Sequence, residues 1–73
     1  MKVIDARELE PPEPFERVID ALSTLGRDEQ VLLILNREPF PLYRFLEQND
    51  YEYKCTAHPD GRVEILIWRR TPA

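Results

Sequence analysis

Few residues in this chain have side chains that do chemistry, and their spacing limits what that chemistry could be. There is one thiol, Cys55, and one imidazole, His58. One cysteine and one histidine this close in the chain cannot fill a tetrahedral metal site without partners from elsewhere, and the same scarcity gives a nucleophile and base no support beyond chance. Neither a metal nor a cofactor is therefore expected, and His58 is read as a solvated turn residue. Ser23 falls in a predicted helix with no histidine beside it, so a serine nucleophile system has no support. The two glycines, Gly26 and Gly61, stand apart, which excludes a glycine-rich phosphate loop. What remains is a polar set of another kind, Arg7, Asn36 and Arg37. Guanidinium and amide groups pair with anions and carboxylates rather than break bonds. Binding or interaction is expected before catalysis, and no catalytic residue is assigned.

These three residues have to be positioned by the elements around them. Lys2 to Asp5 is short and β-branched and reads as an edge strand, with Arg7 just beyond its end. Phe15, Val18, Ile19, Leu22 and Leu25 recur at helical spacing, giving a first helix with one buried stripe. Pro14 suits its first turn, and Gly26 is expected to supply a left-handed cap. Val31 to Leu35 is a continuous apolar run, a strand well inside a sheet, closed by Asn36 and Arg37. Pro39 and Pro41 then lead into a second helix, Leu42 to Asn49, with Asn49 as its end cap. Tyr51 to Ala57 and Val63 to Arg69 alternate as strands, and His58-Pro59-Asp60-Gly61 makes the hairpin loop between them.

The order is β-α-β-α-β-β across a single domain, residues 1–73. Two right-handed crossovers stepping the same way place both helices on one face of the sheet. The fourth strand is apolar on both sides and belongs between the second and third. The fold expected is α+β: a two-layer α/β sandwich with a mixed four-stranded sheet in the order 1-2-4-3, only the fourth strand antiparallel. In such a sheet ligands gather beyond the carboxyl ends of the parallel strands, beside helix starts. Arg7, Asn36 and Arg37 all fall there, so a small-molecule or peptide site is expected around them. Free backbone N–H groups at the two helix starts offer a small-anion sensor as an alternative. The plainer reading is that the prolines only set the helix starts and the charges form solvated pairs.

Ten basic and fourteen acidic residues leave a net charge of −4, which disfavours nucleic acid. Trp68 beside Arg69 and Arg70 could stack on a base, but two charges on an acidic domain make a weak case. No apolar run nears the roughly 20 residues of a membrane span, and the first residues lack the pattern of a signal peptide, so no membrane partner and a cytoplasmic location are expected. Because both helices cover one face, Leu66 and Trp68 should lie on the other, beside alternate residues of Val31 to Leu35. That patch is a candidate for homodimerisation or for docking an unknown protein partner.

The stretch Glu10-Pro11-Pro12-Glu13-Pro14, at the start of the first helix, resembles the TusA/SirA-like superfamily, which carries a Cys-Pro-x-Pro signature there. Pro12, Glu13 and Pro14 match Pro-x-Pro, while Pro11 stands where the sulfur-carrying cysteine would be. Asn36, Pro39, Pro41, Leu42 and Tyr43 resemble the second motif of a family of uncharacterised TusA-like bacterial domains. The resemblance implies the sandwich fold and, with Pro11 in the carrier position, a domain without sulfur-carrier activity. The alternative it raises is a sulfur-transfer or redox accessory protein that uses Cys55. That cysteine sits on a predicted strand face with Tyr53 and Ala57, where a free thiol is more often a small buried hydrophobe.

Overall fold

The computed structural model describes residues 1–10 and 13–70, so the motif prolines Pro11 and Pro12 lie outside the described residues. The elements are β1 (Lys2–Asp5), α1 (Glu13–Ser23), β2 (Gln30–Leu35), α2 (Phe40–Gln48), β3 (Tyr51–Ala57) and β4 (Val63–Arg69). They form one sheet in the order β1-β2-β4-β3. β1 runs parallel to β2 with Ile4 level with Leu33, and β4 runs antiparallel to both β2 and β3. The expected topology is the observed one.

Alternation decides which side of the sheet the helices cover. Val31, Leu33 and Leu35 of β2 and Val63, Ile65 and Ile67 of β4 are buried, whereas Leu32, Ile34, Leu66 and Trp68 between them are half-buried. Val18 and Leu22 of α1 and Leu42 and Leu46 of α2 join the first set in a single core. Burying one such side chain fully is worth about 1.5–3 kcal/mol, so this layer supplies most of what holds a short chain together. Phe15 and Phe45 meet edge to face, their ring centroids 5.5 Å apart, and tie the two helices to each other.

Two local expectations are corrected and a third, the Asn49 cap, holds. α1 ends at Ser23, and Gly26 is not among the residues with positive φ. Its N–H instead donates to Glu29 Oε1 at 2.7 Å, and Leu25, already outside the helix, keeps its place in the core. At the end of α2, Asn49 is the cap as expected, its N–H on the Leu46 carbonyl and its side-chain amide on the Phe45 carbonyl, and the left-handed residue is the next one, Asp50, with φ of 62°. His58 is not simply solvated: its Nε2 pairs with Glu64 Oε1, both side chains about a quarter exposed. The β3–β4 loop otherwise closes as the sequence predicts, with Gly61 at φ of 93° and the Arg62 N–H on Asp60 Oδ1 at 3.0 Å.

Candidate functional site

β1 and β2 both end at the same edge of the sheet, and the chain leaves each of them toward a helix. The gap between those two departures is a pocket of about 500 Å³. Its lining combines Ala6, Arg7 and Leu9 after β1, Pro14 and Phe15 of α1, Leu33 to Glu38 along and beyond β2 apart from Ile34, and Pro39, Pro41 and Leu42 at the start of α2. Arg7, Asn36 and Arg37 are thus brought together, and the walls between them are mainly apolar.

The three polar residues differ in what they still have to offer. Arg7 folds back on Asp5, its Nε and Nη2 donating to the two carboxylate oxygens at 2.9 and 2.8 Å. The hydrogen bond from Arg7 is the main reason the Asp5 carboxyl is held down to about 2, so the pair is intact at any ordinary pH. Asn36 Nδ2 donates to the Arg7 carbonyl at 3.0 Å and fastens the β1 exit to the β2 exit. Arg37 is exposed and, among the described residues, has no ion pair.

The helix starts hold fewer free donors than their position suggests. Pro14, Pro39 and Pro41 have no N–H. The Glu13 N–H is taken by the Glu10 carbonyl at 2.9 Å, and those of Leu42 and Tyr43 by the Pro39 carbonyl at 2.9 and 3.2 Å. Among the described residues no group of three or more His, Cys, Asp and Glu side chains is placed to hold a metal ion.

The family model described as an uncharacterized conserved protein (DUF2249) matches residues 3–69, nearly the whole of this sequence. The chain belongs to the DUF2249 family. The fold is similar to that of a SirA-like protein from Desulfitobacterium hafniense, with a TM-score of 0.84, over 97% of this chain and all of that one. At 24% identity the likeness speaks for the fold, which is SirA/TusA-like as the proline motif implies. A comparison with the curated proteins finds no match.

Two features of this DUF2249 chain escape a reading of its sequence. Glu38 Oε1 accepts from the Tyr43 hydroxyl and from Cys55 Sγ, each at 3.3 Å, and Tyr43 stacks on Tyr53 with centroids 4.6 Å apart. Burial is the first cause pushing the Cys55 thiol up, with Glu38 adding to it and the Tyr43 hydroxyl opposing. The only signal for this cluster was that Cys55 and Tyr53 share the strand face turned to the helices. The second feature is the wall of the pocket: Phe15, Leu35 and Leu42 read as core residues, and periodicity cannot tell a core side chain from one that lines a cavity, while Leu9, in the loop after β1, carries no periodic signal at all.

On the open face, Val3, Leu32, Leu66 and Lys54 form one continuous row across the four strands. Val3 is 60% exposed and Met1 73%. Trp68 is half-buried, its Nε1 donating to Glu52 Oε2 at 3.0 Å, while Arg70 lies near Asp50 and Glu52 at 3.8 and 3.9 Å. These acidic partners leave the Trp68 corner poorly suited to a phosphate backbone.

Proposed function

We propose that this protein is a non-enzymatic binding module that holds a small ligand in the pocket between its two proline-rich helix starts and has no sulfur-carrier activity. The pocket carries the reading: about 500 Å³, apolar walls, and a few polar groups at the strand ends. Cavities of this size and composition are typical of small-molecule sites, and the carboxyl edge of parallel strands is where they gather in α/β sheets. Its titratable lining side chains are Arg7, Arg37 and Glu38, of which Arg7 is paired with Asp5 and Glu38 accepts from Tyr43 and Cys55. Glu38 is the one carboxylate that could act as a base, its Oε1 is already engaged, and no nucleophile stands beside it in the lining, which favours holding a molecule over converting it. For sulfur transfer, Pro11 occupies the position where the resemblance places the carrier cysteine, and the raised Cys55 thiol lies on β3, outside the pocket lining.

A chemical-shift titration with small apolar probes, such as short phenylalkyl alcohols and acids, tests the reading. Perturbations should cluster on Ala6, Leu9, Leu35 and Leu42, and filling the pocket by Leu9→Trp should abolish them. Shifts scattered over the surface, or their persistence in Leu9→Trp, would sink it. Stable loading of sulfane sulfur on Cys55, seen by mass spectrometry of the folded protein, would refute the second half of the proposal.

A second reading concerns association. The open face has an apolar centre with charges of both signs around it, Lys54 on one side and Glu52 and Glu64 flanking, and such a patch can pair with its own copy about a two-fold axis. The occupant proposed for this face is a second copy of the chain, and the measure of it is the mass of the protein in solution.

A further inference from the structure

The pocket's polar groups differ enough in their commitments to specify the charge of its ligand. We infer that it takes a small amphipathic monocarboxylate, an aromatic or branched aliphatic body joined to one carboxylate, which pairs with Arg37. This rests on the pocket being the binding site, and it narrows the ligand class beyond that.

Arg7 has its charge already balanced: the Nε–Nη2 edge of its guanidinium is bound to both carboxylate oxygens of Asp5, so a ligand would have to share it with that carboxylate. Asn36 is neutral, and one of its two amide N–H groups is engaged on the Arg7 carbonyl, so it can add a hydrogen bond but no charge. Glu38 accepts from Tyr43 and Cys55, on the side of α2 that faces β3. Arg37 remains, the one lining cation without an ion pair among the described residues, at the end of a strand whose last core residues are Leu33 and Leu35. A guanidinium presents a planar fork that matches a carboxylate in two parallel hydrogen bonds.

Two observations argue against a phosphate in its place. Phosphate sites use several converging backbone N–H groups, and here three prolines supply none while the Glu13, Leu42 and Tyr43 N–H groups are already bonded. The second is charge. One available cation, with Glu38 adjacent and a net charge of −4 over the chain, offsets a single negative charge and leaves a second one unfavourable. The rest of the ligand is set by the walls: Leu9, Phe15, Leu33, Leu35 and Leu42 offer apolar surface, so the remainder of the molecule should be hydrocarbon.

The test uses labelled full-length protein and three probes of one shape: 4-phenylbutyrate, its neutral amide and 4-phenylbutylamine. Each is titrated into the wild type, Arg37→Gln and the control Arg44→Gln, which changes an exposed arginine of α2 outside the pocket. The carboxylate should bind at least about tenfold more tightly than the amide, as a charge-assisted hydrogen bond allows, with the amine weakest. In Arg37→Gln the carboxylate and amide should bind alike, whereas Arg44→Gln should keep the preference. If the wild type binds amide and carboxylate equally, or if Arg37→Gln retains the preference, the monocarboxylate assignment is overturned while the pocket reading stands. If none of the three probes perturbs the pocket residues, both fall.

Discussion

At the scale of single residues, Cys55 separates the main reading from its redox rival. Thiol reactivity follows the thiolate fraction, and here burial and the Glu38 carboxylate both favour the protonated form. At neutral pH the folded protein should react with iodoacetamide more slowly than its urea-unfolded form. The neighbours have opposite signs. Glu38→Gln removes a charge that opposes the thiolate and should speed the reaction, while Tyr43→Phe removes a hydroxyl that favours it and should slow the reaction further. Pseudo-first-order rates followed by mass spectrometry decide the matter, and a folded rate equal to or above the unfolded one would return Cys55 to contention as a functional thiol.

At the scale of elements, the strands and helices were legible because their signals are local. Val31 to Leu35 and Val63 to Arg69 announce their partners by being apolar on both faces, and the central place of β4 follows from that alone. The site was legible in part, since topology sends Arg7, Asn36 and Arg37 to one edge of the sheet whatever their side chains then do. What they do was not legible: the turn that brings Arg7 back to Asp5 and the approach of Glu38 to Cys55 depend on backbone directions no periodicity encodes. The glycines show the same limit. Gly26 was expected to need positive φ, yet of the two glycines Gly61 alone has it, at φ of 93°. Gly61→Ala should therefore cost about 1 kcal/mol in urea unfolding, the penalty of a left-handed backbone for an L-residue. Gly26→Ala should cost clearly less, because its new Cβ meets first Glu29 Oε1, at 2.9 Å, the far end of a flexible side chain. Equal costs for the two would mean that Gly26 carries a backbone constraint of its own.

At the scale of the whole molecule, a two-layer sandwich leaves one sheet face uncovered, and this chain has placed Val3, Leu32, Leu66 and Trp68 there. Two copies meeting through that face would bury the apolar row that helices cover on the other side. The charge balance works against them, since each copy carries −4 and like charges repel, so apolar burial has to supply the attraction. Salt then becomes a diagnostic with a definite sign. Screening shortens the reach of the repulsion to about 8 Å at physiological ionic strength and hardly touches apolar contact, so the dimer fraction seen by analytical ultracentrifugation should rise with added salt. Val3→Lys, at a position already 60% exposed, should leave the fold intact by circular dichroism and shift the mass to that of a monomer. Phe40→Lys, at an equally exposed position on α2, should leave the mass unchanged. A wild type that sediments as a monomer at high concentration and high salt would refute self-association, and a dimer that salt dissolves would place the attraction in Lys54, Glu52 and Glu64 rather than in the apolar row.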